Sequence, residues 1–143
     1  MITTKLKTAL TSAGCDLVLY ESDKLAGIIT DQANQNNILG LVIQPNTVKL
    51  EVKGNGVQEH YPPIIVEIMK QVKPEGTAEH NETTLAALME VCKLFILALI
   101  TTGSFKKITS IEAVKIQENR YDANVIGWSL PMDLYLLENS NNC

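Results

Sequence analysis

Aromatic residues are scarce in this chain: two Phe, four Tyr and a single Trp make up 5% of 143 residues. No stacking platform for single-stranded nucleic acid is visible. Basic charge is also in short supply. Twelve Lys and Arg against sixteen Asp and Glu give a net charge of −4 and a pI near 5.1. That balance argues against tight nucleic-acid binding through phosphate contacts, although an acidic wall suits DNA that must pass without sticking. The three cysteines, Cys15, Cys92 and Cys143, are odd in number and share no metal-type spacing, which reads as a reducing compartment. Gly54-Asn55-Gly56 lacks the Gly, Lys and Ser/Thr of a phosphate loop, so it is a turn. No internal repeat and no second-domain boundary is present, so residues 1–138 read as one domain and 139–143 as a tail disordered by composition. With 45% hydrophobic and 20% charged residues, global disorder is excluded.

What the chain does have is one long apolar run, Glu82 to Thr102, between helix signals. Asn81 is a good N-cap, Glu82 puts negative charge in the first turn, and Gly103 can close the helix in a left-handed conformation. Leu85, Leu88, Met89, Cys92, Phe95, Ile96 and Leu99 share one face at helical spacing. Ala87, Val91, Leu94 and Ala98 form a second, which leaves Ala86, Glu90, Lys93, Leu97 and Thr101 for a narrow wet side. Such a helix wants cover on more than one side. Its length would suit a membrane span, but Glu90 and Lys93 mid-run favour a buried core helix, and no membrane is expected as a partner.

Around that helix the chain reads as α+β. Residues 1–14 form a short amphipathic helix ending at Gly14, with Ile2, Leu6, Ala9, Leu10 and Ala13 on its apolar face. Ser12-Ala13-Gly14-Cys15 has a look of a lipoprotein signal, but Ser12 stands where an aliphatic residue belongs and Lys5 and Lys7 interrupt the apolar region. Strand-like runs follow at Asp16–Tyr20, Leu25–Thr30 and Ile38–Ile43, the last apolar throughout as if covered on both faces. Val48, Leu50 and Val52 alternate with Lys49, Glu51 and Lys53, which predicts a strand with one dry face and one wet. Pro63–Val72 is a further strand, its start set by Tyr61-Pro62-Pro63. After the helix, Lys107–Gln117 and an alternating run with Ile126, Trp128, Leu130, Met132, Leu134 and Leu136 on one side predict a C-terminal hairpin, turned at Asn119–Asn124. Pro131 implies a bulge or an edge. The expected architecture is a mostly antiparallel sheet of five to seven strands packed on one long helix.

Chemistry-bearing residues are sparse. His60 and His80 each follow a glutamate, yet they stand twenty residues apart beside turns, without a paired metal-ligand spacing, and read as solvated loop histidines. Asn81-Glu82-Thr83 matches a glycosylation acceptor, but the capping role accounts for Asn81. The sharpest enzyme signal is Glu51-Val52-Lys53 with Asp31 upstream, which resembles the core of restriction-endonuclease-like, magnesium-dependent nucleases. Against it, Asp31 lies in a polar loop and no basic patch supports DNA docking. No catalytic, cofactor-binding or metal-ligating residue is assigned.

The order helix, four or five strands, long helix, hairpin resembles the tail-terminator and neck (head–tail connector) proteins of tailed bacteriophages. Tyr61-Pro62-Pro63-Ile64-Ile65-Val66-Glu67 entering the strand before the helix, Tyr121-Asp122-Ala123-Asn124 and Gly127-Trp128-Ser129-Leu130 carry the similarity. The resemblance implies a non-enzymatic structural protein of the virion, assembled in the host cytoplasm. It implies a homo-oligomeric ring, a hexamer among the sizes allowed, with tail-tube or connector proteins as partners and DNA only as passing cargo. It implies no cofactor. The polar runs DQANQNN (Asp31, Gln32, Asn34, Gln35 and Asn36 among them) and KPEGTAEH (Lys73, Glu75, Glu79) are the expected contact loops. A non-enzymatic adaptor and the magnesium nuclease remain as alternatives.

Overall fold

The computed structural model describes residues 2–20, 37–43, 47–71, 78–106, 108–120 and 123–136. Helix α1 (Ile2–Ala13) leads into β1 (Leu17–Tyr20), β2 (Leu39–Ile43), β3 (Lys49–Lys53) and the long β4 (Gly56–Gln71). Helix α2 (Ala78–Thr102) follows, and β5 (Val114–Arg120) and β6 (Ala123–Tyr135) close the chain. The strands form one sheet in the order β1-β2-β4-β6-β5, with β3 on β4 beside β2. Among the described strands only β1 and β2 are parallel, so the expected α+β architecture with a mostly antiparallel sheet and a C-terminal hairpin is what the chain adopts.

Both described helices stop where glycine lets them. Gly14, at φ 113°, donates to Thr11 O (3.2 Å) while Cys15 N donates to Leu10 O (3.1 Å), the paired bonds of a Schellman cap. Gly103, at φ 67°, donates to Ile100 O at 3.2 Å. Helix α2 starts at Ala78, earlier than the capping pattern predicts. Asn81 is therefore inside the first turns, and its side-chain oxygen is buried with no hydrogen-bond partner among the described residues.

The sheet buries both faces over much of its area. Leu6 and Leu10 of α1 and Leu88, Cys92, Phe95 and Leu99 of α2 pack on Val42, Ile64, Val66, Ile68, Ile126, Leu130 and Leu134. Trp128 joins that face by donating its indole N–H to Leu85 O (3.0 Å). On the outer face Leu19, Leu39, Leu41, Met69, Ile116 and Val125 form a second buried cluster. The odd and even positions of β2 and β6 divide cleanly between the two, as a period of two requires.

Two expected boundaries move. Pro62 and Pro63 do not begin a strand; β4 runs through them, and the register with β6 slips between Tyr61 and Ile64. A bulge there accommodates the missing N–H groups. The predicted strand Lys107–Gln117 is regular only from Val114. The 25–30 run and the 139–143 tail lie outside the described residues, as do Tyr121 and Asp122 at the final turn.

Candidate functional site

The β3–β4 hairpin turns through Gly54-Asn55, with Gly54 at φ 58° and Lys53 paired to Gly56. Its pairs Val52↔Val57 and Leu50↔Glu59 fix one face, and Tyr61, two residues on and opposite Leu134, places that face on the helix side of the sheet. The helices do not reach it. Helix α2 ends at Thr102, and Phe105 bridges Leu136, which in turn donates to Glu59 O (3.0 Å). Everything before Glu59 therefore overhangs the helix layer. Leu50 is 68% exposed, Val52 78% and Val57 50%. The dry face expected for Val48, Leu50 and Val52 is thus bare, because the strand projects past the elements that would have covered it.

The other face of the hairpin is built around His60. It is a buried strand residue, 7% exposed, and not the solvated loop histidine its sequence context suggests. Its ring lies flat on Tyr135 with centroids 4.0 Å apart and 2° between planes. Nδ1 is 3.7 Å from Glu51 Oε2 of β3 and Nε2 is 3.5 Å from Asp133 Oδ1 of β6, contacts that carry charge when the ring is protonated. Lys106 Nζ sits 5.0 Å from the Tyr135 centroid, within cation–π range. Gln58 Nε2 donates to Leu136 O (3.4 Å), and the Tyr61 hydroxyl donates to Glu59 Oε1. Partial burial first, and then that carboxylate, push the Tyr61 phenol up to about 12. His80, by contrast, belongs to helix α2.

Beside this cluster, β6 has a notch. Strand β5 pairs with it only as far as Val114↔Ser129, and the chain returns at Lys106, whose N–H donates to Tyr135 O (2.8 Å). Between these points the 108–113 segment stands off, leaving a cleft of about 510 Å³ lined by Ile108, Ile111, Glu112, Met132, Asp133 and Tyr135 among others. Because Tyr135 O points toward this side and Leu136 N toward β4, strand alternation directs the backbone groups of Asp133 and the carbonyl of Pro131 into the cleft. Pro131 consequently places its missing N–H on the open edge, as expected for a proline in a sheet.

A third surface is the outer side of α2. One stripe of the helix is buried, and Val91 and Ala98 of the second apolar face pack against the core, but Leu94, Leu97 and Ile100 are exposed. Near Ile100 a smaller hollow of about 350 Å³ is lined by Leu99, Phe105 and Ile108. Glu90 and Lys93 pair on the same side at 3.2 Å.

Of the expected contact residues, Glu79 is exposed, on the first turn of α2 and not in a loop. Asp31, Gln32, Asn34, Gln35, Asn36, Lys73 and Glu75 lie outside the described residues. In the nuclease pattern, Glu51 is drawn to His60, and Asp31 again falls outside. Among the described residues no three His, Cys, Asp or Glu side chains group as a metal site. Cys15 and Cys92 are buried free thiols, each raised to about 12 by desolvation. The bare hairpin and the notch escaped sequence reasoning; the only advance signal was an alternating strand next to a two-residue turn. The sequence matches no protein-family model and no curated protein.

Proposed function

We propose that the protein is a structural subunit of a tailed-phage virion, forming a ring that ends the tail tube or joins tail to head. The observation that carries this reading is the apolar face of the β3–β4 hairpin, left in solvent at Leu50, Val52 and Val57. A strand with its outer edge unpaired among the described residues and aliphatic side chains on a bare face is a template for pairing, and a chain that stays alone normally blunts it. The exposed Leu94, Leu97 and Ile100 of α2 supply a second, different apolar surface. Two unlike patches on one chain suit heterologous contacts, the kind that close a ring. The net charge of −4 fits a lumen that does not hold DNA.

The test is assembly on a template. Mixed with tail tubes of the same phage, the protein binds one end only and stops further growth, read by negative-stain electron microscopy as tube length and end density. Decoration along the tube wall, or unchanged tube length, overturns the reading.

A further inference from the structure

We propose that strand β3 of one copy adds to β6 of the next, filling the notch between β6 and the 108–112 segment. The inference rests on the assembly reading and names the contact that would hold it. Its donor and acceptor lie on one chain but cannot meet within it. In the sheet, β4 stands between β3 and β6, so β3 cannot reach the open side of β6. Pairing must be between copies.

Backbone chemistry fits first. Among the described residues β3 pairs only with β4, so none of them occupies the N–H and C=O groups of its outer edge. The notch offers the complementary groups, Asp133 N–H and C=O and Pro131 C=O, over the gap between Ser129 and Tyr135. A five-residue strand, Lys49–Lys53, matches that gap in length. Strand addition of this kind takes affinity from main-chain bonds and specificity from alternate side chains.

Those side chains also agree with the notch. Alternation puts Leu50 and Val52 on one face of an added strand, where Ile108 and Ile111, both packed against the core, offer an apolar wall. Lys49 falls on the other face, toward the carboxylates of Asp133 and Glu112. The aliphatic side chains most exposed among the described residues, Val52 and Leu50, are thus the ones the contact would cover. Donor and acceptor are different surfaces, so each copy can give one strand and receive one, which continues around a ring.

Paired cysteines test this directly. Lys49→Cys and Asp133→Cys, which the docked strand would bring to the same face, are placed in separate chains, both carrying Cys143→Ser; Cys15 and Cys92 are buried with pKa values near 12 and do not compete. Under mild oxidation, with tail tubes present, the mixture should form the disulfide-linked dimer of the two variant chains about tenfold or more over either chain alone, since docking raises the effective concentration. A Leu50→Lys/Val52→Lys chain, changed only at exposed positions, should bind tube ends at least tenfold more weakly while melting like wild type. If wild type caps the tubes but the mixed link stays at the level of the single chains, or the double lysine chain caps normally, strand docking is overturned and the assembly reading stands. If wild type neither caps tubes nor self-associates, both fall.

Discussion

A methyl group at position 127 should prise apart the two longest strands. Gly127 pairs with Met69 in the β4–β6 ladder, and a Cβ built there lies 2.1 Å from Ile68 O, 2.7 Å from Met69 Cα and 2.9 Å from Ile68 C. All three neighbours are backbone, so no side chain can swing aside. Restoring an ordinary contact requires a shift of roughly 1 Å between strands whose spacing is fixed by hydrogen bonds. The displaced ladder carries Ile68 and Ile126, both fully buried, and the loss spreads into the main core. Overpacking against side chains costs about 1–3 kcal/mol, and here the obstacle is main chain, so Gly127→Ala should cost about 3 kcal/mol or more. At about 2.1 cal/mol/K per residue, a 143-residue domain has an unfolding entropy of roughly 0.3 kcal/mol/K, which makes the expected drop in Tm about 10 °C. Thermal unfolding by circular dichroism measures it. A variant melting within about two degrees of wild type would refute the close approach of β4 and β6 and the register on which the notch depends.

Two further outcomes follow from the core. Leu130 is 1% exposed between the sheet and α2, so Leu130→Asp buries an unpaired charge and should cost on the order of 3 kcal/mol or more by urea unfolding; near-wild-type stability would put this face in water. Cys15 and Cys92 rise from 9.0 to about 12 and Tyr61 from 10.0 to about 12, so each holds its proton longer in the folded chain. Their contribution is whole below the unfolded values and is lost as pH climbs from 9 toward 12; stability flat across that window in a pH series of denaturant melts would contradict the burial of these groups.

The helices and the final strand were legible because their patterns are long. Leu85, Leu88, Cys92, Phe95 and Leu99 repeat over several turns, and the six even residues from Ile126 to Leu136 alternate without a break. Local grammar misled where tertiary context decides. The proline pair at 62–63 reads as a strand start, yet a bulge lets β4 continue, and nothing in two residues announces which of these a sheet will choose. His60 reads as a surface residue because its partners, Glu51, Asp133 and Tyr135, arrive from two other strands. The apolar side of this run is legible as Val48, Leu50 and Val52, but the expectation that it is dry fails, because all three are exposed and cover depends on how far the helices extend. That length is a property of α2 and its stop at Gly103, not of β3.

An arm that docks must already be stiff, since ordering a loose one offsets much of the contact it makes. A two-stranded hairpin alone is marginal in water, so the stiffness here has to come from its base. There, His60 is packed flat against Tyr135 between Glu51 and Asp133, joining β3, β4 and β6 in one cluster. Gln58 reaches Leu136 O, and Leu136 N reaches Glu59 O, so two residues just inside the tip are bonded to the end of β6. These anchors divide by face: His60, Gln58 and Glu51 lie on the outer side, opposite Leu50, Val52 and Val57. Polar contacts therefore fix the hairpin while its aliphatic side stays bare. Folding that side back onto α2 would break the ladder between β4 and β6 at Tyr135 and Leu134, because the hairpin is the direct extension of β4. The exposure of Leu50 and Val52 is thus imposed by a well-held base, and no described residue of this chain can relieve it without disturbing that base.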